Sequence, residues 1–196
     1  MRMSGKHQNS CWGRQIRPSR VHTTIQRICV AQAIGDKSKG RLRAGQVTMA
    51  CSLGPRGIVF SKREGDGATP AGKFALVLAL YRSGKWKCLP GTLRSRPIRR
   101  QDIWCDASGH GLYNRPARLP FRPSHEQLWR EDHVYDVIIV LDYNLRPRVQ
   151  GRGSAIFFHL AREPATPTAG CVAISAAAMR RLVPRLGAGA TMQIRR

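Results

Sequence analysis

At 196 residues, 42% of them apolar, the chain can bury one full hydrophobic core but is short for two independent domains. No run approaches the roughly eighteen apolar residues of a membrane-spanning helix, so the pattern predicts a soluble protein. The net charge of +23, from 34 Lys and Arg against 11 acidic residues, attracts polyanions such as nucleic acid, anionic lipid headgroups or acidic wall polymers. A solvated Arg-rich surface explains the charge equally well, so the charge alone selects no partner.

The six cysteines show no pattern typical of a metal site or a disulfide framework. Cys88, Cys105, His110 and His133 can be grouped only on paper, because their spacing matches no ligand pattern. Buried thiols and surface imidazoles are expected there, and neither a metal nor a cofactor is predicted. The tryptophans are not interleaved with basic residues as in a base-stacking module, so no specific nucleic-acid partner is expected.

Residues 1 to 24 are polar and basic and have no hydrophobic periodicity, which predicts a disordered tail. This stretch has a basic start but neither the apolar core nor the small-residue cleavage site of a secretory signal. With this start, a cytoplasmic location is the expectation. Residues 25 to 196 are predicted to form one domain, and a monomer is expected.

The first half of the domain is predicted to consist of short strands joined by turns. Residues 25 to 33, IQRICVAQA, alternate as a strand does, and GDKSKGRLRAG at 35 to 45 supplies turn residues. QVTMACSLG at 46 to 54 is a second strand candidate. The apolar run from Phe74 to Tyr81 is predicted to be a strand because it follows a Gly/Pro turn.

Residues 82 to 133 have no period and many prolines, which is typical of a functional insertion or lid. VYDVIIVLDYN at 134 to 144 is the clearest strand, and SAIFFHLA at 154 to 161 is its predicted partner. VAI at 172 to 174 is a further short apolar segment.

One helix is predicted near the C terminus. Ser175 is a plausible N-cap for AAAMRRLVPRL at 176 to 186, in which Pro184 predicts a kink or an early end. Gly187 stands where a C-terminal glycine is expected, and ATMQIRR at 190 to 196 is predicted to be the last strand. Many short strands with one helix predict a mostly β single domain.

His159 and Cys171 form a candidate acyl-transfer pair. A thiol becomes a useful nucleophile when a base or local positive potential lowers its pKa and donors await the oxyanion. His159 ends a predicted strand, and the loop to Cys171 is long enough to bring the imidazole within hydrogen-bond reach of the sulfur. Gly170 lets consecutive N–H groups converge on one point. Taken singly, such a Cys or His is more often a structural residue.

Two motifs stand in order along the chain: TPAGKF at 69 to 74, and His159 followed by TAGCVA at 168 to 173. In this order they resemble the L,D-transpeptidase (YkuD-like) catalytic domain family, in a compact bacterial branch. The resemblance spans about residues 27 to 196.

The chain departs from that family's Ser-His-Gly-Cys signature at three positions. Thr168 replaces Ser and keeps the hydroxyl, Ala169 replaces His, and Ala173 replaces the Arg or Asn that often follows. The two alanines remove groups that could shape the donor site. Arg162 or Arg115 is a candidate for a compensating cation, and Thr168 and Arg162 are candidate substrate contacts.

The resemblance implies acyl transfer on peptidoglycan. Cys171, with His159 taking its proton, would attack the third residue of a tetrapeptide stem and release D-alanine, while the N–H groups of Gly170 and Cys171 hold the oxyanion. The acyl group would pass to a neighbouring stem, giving a 3-3 crosslink, or to a Lys of an envelope protein. With water as acceptor, the site would be an L,D-carboxypeptidase. A carbonyl oxygen is expected to orient His159, and the family's location implies the periplasm or cell envelope.

The implied fold is a mostly β sandwich of mixed sheets, with Cys171 at the mouth of a cleft. The irregular insertion would cover that cleft, where Tyr113, Asn114 and Trp129 are candidate substrate contacts. Two alternatives stay open: a relative that binds wall polymer without catalysis, and a basic nucleic-acid-binding domain in which Gly170 and Cys171 are structural.

Overall fold

Over residues 24 to 86 and 93 to 196, which the computed structural model describes, the chain alternates short strands with tight turns. Its elements are β1 (Ile25–Gln32), β2 (Lys39–Ala44), β3 (Val47–Ser52), β4 (Ile58–Val59), β5 (Thr69–Pro70), β6 (Gly72–Tyr81), β7 (Ser95–Pro97), β8 (Asp102–Cys105), β9 (Arg115–Arg118), β10 (His125–Gln127), β11 (Val137–Leu141), β12 (Phe157–Leu160), β13 (Val172–Ile174), α1 (Ala176–Leu182), a 3₁₀ turn (Val183–Arg185) and β14 (Leu186–Arg195). The predicted tail lies outside the described residues except for Thr24, so it stays a prediction.

Nine of these strands form one mixed sheet that closes on itself. Its order is β11-β12-β13-β3-β2-β1-β14-β6-β7, and β6 pairs with β11 to complete the ring. Closure depends on the length of β6, whose first half pairs with β14 and whose second half pairs with β11 and β7. The predictions of a mostly β fold, mixed sheets and one helix near the C terminus are confirmed. The closure is an addition that the sequence patterns did not predict.

Two apolar cores lie on opposite sides of β11 and β12. The first fills the closed sheet, into which β1, β2 and β14 turn alternate residues such as Ile28, Leu42 and Met192. The second lies outside, between β6, β11 and β12 and the segment that covers them. Because both faces of β11 and β12 pack on a core, these strands are continuous apolar runs without alternation.

The cover has regular structure, which differs from the prediction for residues 82 to 133. It contains β7 and a three-stranded sheet in the order β10-β8-β9. Strands of three or four residues are too short to show a period. In β9 the presence of Pro116 also argued against a strand, but β9 is an edge strand, in which a missing N–H is tolerated. Trp104 of β8 packs edge-on against Phe157 of β12, with ring centroids 5.3 Å apart. The segment therefore covers the second core, as a lid-like insertion was expected to do.

Residues 39 to 44 form β2, although the sequence predicted a turn for this stretch. The strand turns small or apolar residues inward, while every alternate residue is Lys or Arg. These cations gave the stretch the composition of a turn and concealed its period.

The helix begins as predicted and ends earlier than its pattern. Ser175 Oγ accepts a hydrogen bond from the Ala178 N–H at 3.2 Å, which confirms the N-cap. Pro184 lies in the 3₁₀ turn that follows α1, consistent with an early end. The role predicted for Gly187 is wrong, because the extended Leu186 intervenes and Gly187 lies within β14. Within the described ranges no helix is long and apolar enough to span a membrane.

Candidate active site

Cys171 and His159 lie at the junction of two parallel strands. Cys171 immediately precedes β13, which pairs with β12 so that His159 stands opposite Ala173. The Phe157 N–H donates to Cys171 Sγ at 3.3 Å, and Sγ lies 3.2 Å from the Ala155 carbonyl oxygen, to which the thiol donates. The thiol is thus held at the first residue of β12, two residues from the imidazole.

Both groups belong to the same side of the main sheet. Phe157 and His159 project to one face of β12 because side chains alternate along a strand. Cys171 packs in the second core with Phe157. Tyr135 contacts this wall edge-on, its ring centroid 6.0 Å from Phe157 and 5.1 Å from His159. The structure therefore brings the two predicted catalytic residues to one apolar wall beneath the cover.

The imidazole of His159 is held in one tautomer. Its Nδ1 lies 2.9 Å from the Leu160 carbonyl oxygen, which can only accept, so Nδ1 carries the proton and Nε2 a lone pair. A carbonyl oxygen thus orients the ring, as the sequence predicted. Burial lowers the pKa of His159 to about 4, so the ring is neutral at physiological pH. A neutral imidazole with its lone pair on Nε2 has the form that a general base requires.

The thiol of Cys171 is protonated at rest. Burial raises its pKa to about 12, outweighing the opposing effect of the hydrogen bond from the Phe157 N–H. Together with the low pKa of His159, this makes the resting pair neutral rather than a thiolate beside an imidazolium. Proton transfer between them must therefore be coupled to a change in the surroundings, such as the arrival of a substrate with its own dipoles.

The loop before Cys171 is shaped by the upstream motif. Gly170 has a φ of +132°, and a Cβ there would lie 2.5 Å from the carbonyl oxygen of Ala68. The side-chain oxygen of Thr69 accepts a hydrogen bond from the Gly54 N–H at 2.9 Å, and the Thr168 N–H donates to the Leu53 carbonyl at 2.9 Å. The Cys171 loop therefore packs on Ala68, the residue just before TPAGKF, and both motifs are hydrogen-bonded to the backbone of Leu53 and Gly54. TPAGKF is thus part of the scaffold of the Cys171 loop.

Of the two N–H groups predicted to hold the oxyanion, that of Gly170 already has a hydrogen-bond acceptor within the loop. The Gly170 N–H donates to Thr168 Oγ1 at 3.1 Å, and the same hydroxyl donates to the Cys171 carbonyl at 2.7 Å. The Thr168 hydroxyl thus bridges the Gly170 N–H and the Cys171 carbonyl and closes the loop. A substrate oxygen would have to displace the threonine hydroxyl to receive the Gly170 N–H, so the predicted use of the Gly170 and Cys171 N–H groups stays a prediction.

Tyr113 and Asn114 are buried structural residues. The Tyr113 side chain is fully buried and its hydroxyl binds Glu64 and the Gly153 N–H. Asn114 Oδ1 accepts from Trp104 Nε1 at 2.8 Å, and its amide donates to two backbone carbonyls. Their polar groups face protein partners, and this burial gives no support to the predicted role in substrate contact.

Three other candidates lie on or near the cover. The guanidinium groups of Arg82 and Arg100 lie 4.3 and 4.8 Å from the ring centroid of Trp129. Arg162 donates to Asp132 at 2.9 Å, just beyond the end of β12. The guanidinium of Arg115 lies 3.5 Å from the Leu145 carbonyl. Of the two candidate cations, only Arg162 directly follows the strand that carries the imidazole.

Sequence reasoning did not identify Tyr135, nor the polar residues above it. Tyr135 is hydrogen-bonded to Glu126, and burial raises its pKa well above the ordinary value. Arg130 lies over the Tyr135 ring at 5.2 Å and pairs with Glu126 at 2.9 Å and Asp132 at 2.7 Å. These residues stand in or beside the irregular segment, whose pattern offered no signal of what it would cover.

Metal-binding groups do not converge in the described part of the chain. It contains no cluster of three or more His, Cys, Asp or Glu side chains that could hold a metal ion. Cys105 Sγ lies 3.8 Å from His110 Nδ1, and His133 lies 3.3 Å from Asp136. Cys88 is outside the described residues.

A closed mixed sheet with a buried thiol and a neutral, oriented imidazole on neighbouring parallel strands has the elements of a thiol-dependent acyl-transfer domain. The family model of the L,D-transpeptidase catalytic domain, YkuD, matches residues 31 to 194, and the chain belongs to this family. A comparison with curated proteins finds no match.

Proposed function

We propose that the protein is a peptidoglycan L,D-transpeptidase with Cys171 as nucleophile and His159 as general base. The observation that carries the proposal is the hydrogen bond from His159 Nδ1 to the Leu160 carbonyl. It puts the lone pair on Nε2, which can accept a proton on the wall that also holds the Cys171 thiol. In a chain that belongs to the YkuD family, this arrangement supports catalysis rather than a structural Cys and His.

The reaction has two steps, acylation of Cys171 and transfer of the acyl group to an acceptor. In the first, the Cys171 proton passes to His159 Nε2 and sulfur attacks the carbonyl carbon of the third stem residue. The peptide bond to the terminal D-alanine breaks, and the imidazolium returns the proton to the departing amine. In the second, a side-chain amine of another stem, or a Lys amine of an envelope protein, attacks the thioester. His159 takes the amine's proton, an amide bond forms as the C–S bond of the thioester breaks, and the imidazolium returns the proton to sulfur to restore the thiol.

The choice of acceptor depends on residues at the edge of the site. Ala173 is buried opposite His159 and offers no polar group, and Ala169 lies on the exposed side of the loop. Arg162 is the exposed cation nearest in sequence to the imidazole, and it is held by Asp132. We assign to Arg162 the binding of a stem carboxylate. If water reaches the thioester instead, the same chemistry is that of an L,D-carboxypeptidase.

The reaction is tested with muropeptides that carry tetrapeptide stems. Mass spectrometry of the intact protein should show an acyl adduct on Cys171, and the products should be crosslinked, protein-linked or trimmed. Cys171→Ala should abolish adduct and turnover, and His159→Gln should slow acylation by about 100-fold or more. Cys29→Ala removes a half-exposed thiol on the far side of the sheet and is the matched control. Turnover that survives Cys171→Ala would refute the proposal.

We also propose the cell envelope as the place of action, because the substrate of the family is found there. Fractionation of cells that produce the full-length protein tests this. Recovery in the cytoplasm alone would contradict it.

A further inference from the structure

The outer face of the main sheet carries an array of cations that the acyl-transfer site does not use. On β1, β2, β6 and β14 the inward residues pack in the first core, and alternate residues face solvent. Six exposed Lys or Arg side chains stand on this outward face, and one of them, Lys39, is paired with Asp36. The other five have no such partner among the described residues. We call them the basic face: Arg27, Arg41, Arg43, Lys73 and Arg195.

The strand register spreads these cations in two dimensions. Arg43 and Lys73 share one row across four strands, separated by Cys29 and Gln193. Arg41 and Arg195 share the next row, separated by Ala31. At about 4.8 Å per strand, the cations within a row are about 14 and about 10 Å apart.

Acidic residues are sparse around the basic face. All 11 acidic residues lie in the part of the chain that the structure describes, and none is on β1, β2, β3, β6 or β14. Within that part, none of the five cations has an ion pair. Two acids lie beside these strands: Asp36 pairs with Lys39, the first residue of β2, at 3.1 Å, and Asp142 Oδ1 accepts a hydrogen bond from the Ala75 N–H of β6 at 2.7 Å. The arginines of the cover differ, since Arg130 and Arg162 both bind Asp132.

The residues between and beside the cations suit a surface of anionic headgroups. The intervening positions are small or uncharged, and no aromatic ring stands among them on which a nucleotide base could stack. One large apolar side chain, that of the fully exposed Ile34, projects from the turn between β1 and β2. A row of phosphates on one polymer strand would meet only part of this array, whereas a bilayer presents headgroups in two dimensions.

We propose that the basic face docks the protein on an anionic phospholipid bilayer. The five cations bind headgroup phosphates, and Ile34 enters the interfacial layer beside the start of β2. Each cation near such a surface strengthens binding by about fivefold, and salt weakens the attraction. This docking needs neither Cys171 nor His159 and therefore goes beyond the acyl-transfer reaction.

The test is co-sedimentation of the full-length protein with vesicles. One preparation is phosphatidylcholine alone, and the other contains about one third phosphatidylglycerol. The protein should bind the anionic vesicles only, and binding should fall as NaCl rises from about 50 to about 500 mM. The triple variant Arg27→Gln, Arg41→Gln, Arg43→Gln should lose on the order of 100-fold in vesicle affinity.

The control is a triple variant that loses the same three charges at positions outside the basic face. Arg94, Arg122 and Arg146 are exposed and away from the basic face, and their replacement by Gln should weaken binding by less than about threefold. Equal losses in the two triple variants would overturn the proposal, because net charge alone would then explain the binding. Equal binding to neutral vesicles would also overturn it. Tighter face-dependent binding to duplex DNA or purified sacculi than to vesicles would show that the occupant is a polymer and not a bilayer.

Discussion

His159 is neutral in the fold, and this neutrality makes stability depend on pH. Burial lowers its pKa from 6.5 to about 4, so between these values the unfolded chain binds a proton that the folded chain does not. The contribution is fully present above pH 6.5 and is lost as the pH falls through 4. Denaturant titrations at pH 7 and pH 4 should differ by about 3 kcal/mol in the free energy of unfolding from this residue alone.

His159→Gln should remove most of that difference, because the amide does not titrate. His133→Gln, which removes an exposed imidazole, is the control and should leave the difference in place. The pKa values of Asp66 and Asp132 are also lowered, but these carboxylates weaken stability only below about pH 4. An unchanged slope in His159→Gln would show that the imidazole is solvated or protonated in the folded protein.

The segment before β11 and the loop after β12 enclose the thiol and the imidazole. The segment before β11 lies along β12, with the Leu160 N–H donating to the Val134 carbonyl at 3.1 Å. Asp132 joins that segment to the loop after β12, because it binds both Arg130 and Arg162. The carboxylate thus links the edge of the cover to the loop after β12 through ion pairs.

Asp132→Asn should open this edge without unfolding the domain. Alkylation of Cys171 by iodoacetamide, followed by mass spectrometry, should become about fivefold faster, since half-exposed ion pairs contribute only about 1 kcal/mol each. The free energy of unfolding should change by less than about 1 kcal/mol. Asp36→Asn breaks an exposed pair with Lys39 remote from the cover and should leave the alkylation rate unchanged. An unaltered rate in Asp132→Asn would mean that backbone hydrogen bonds alone hold the cover.

The elements differ in how far their sequences predicted them. β11, β12 and the N-cap of α1 are local patterns, namely apolar runs and a serine before a helical stretch, and each was predicted. β2 and the sheet of β8 to β10 were not, because Lys and Arg filled one face of the former and the latter strands are three or four residues long. Closure of the sheet depends on pairings of β6 with β11 and β14, which no local pattern encodes.

In the candidate site too, residues marked by a local pattern were predicted and those placed by tertiary packing were not. His159 and Cys171 were predicted from spacing and family resemblance, and the fold brings both to one wall. The ring of Tyr135 joins that wall through tertiary packing, which spacing does not reveal. Asn114 was predicted as a substrate contact from its place in the irregular segment, and its buried, fully hydrogen-bonded amide gives that prediction no support.

At the scale of the whole molecule, charge is segregated as well as unbalanced. Acidic residues are concentrated in the cover and its flanking loops, where they pair with Arg, whereas the basic face has none. With a net charge of +23, like charges repel across the folded molecule and lower its stability. This repulsion is strongest where cations stand in adjacent rows without counter-charges.

Salt should therefore stabilise the fold, in contrast to its effect on a protein held by surface ion pairs. Raising NaCl from about 20 to about 200 mM shortens the Debye length to about 7 Å, below the spacing of cations within each row of the basic face. Calorimetry should show Tm rising by about 3 °C. Replacing Arg27, Arg41 and Arg43 by Gln should reduce that rise more than replacing the dispersed Arg94, Arg122 and Arg146, although both variants lose the same charge. Equal reductions would show that total charge governs the repulsion, and a fall in Tm with salt would show that the ion pairs of the cover outweigh it.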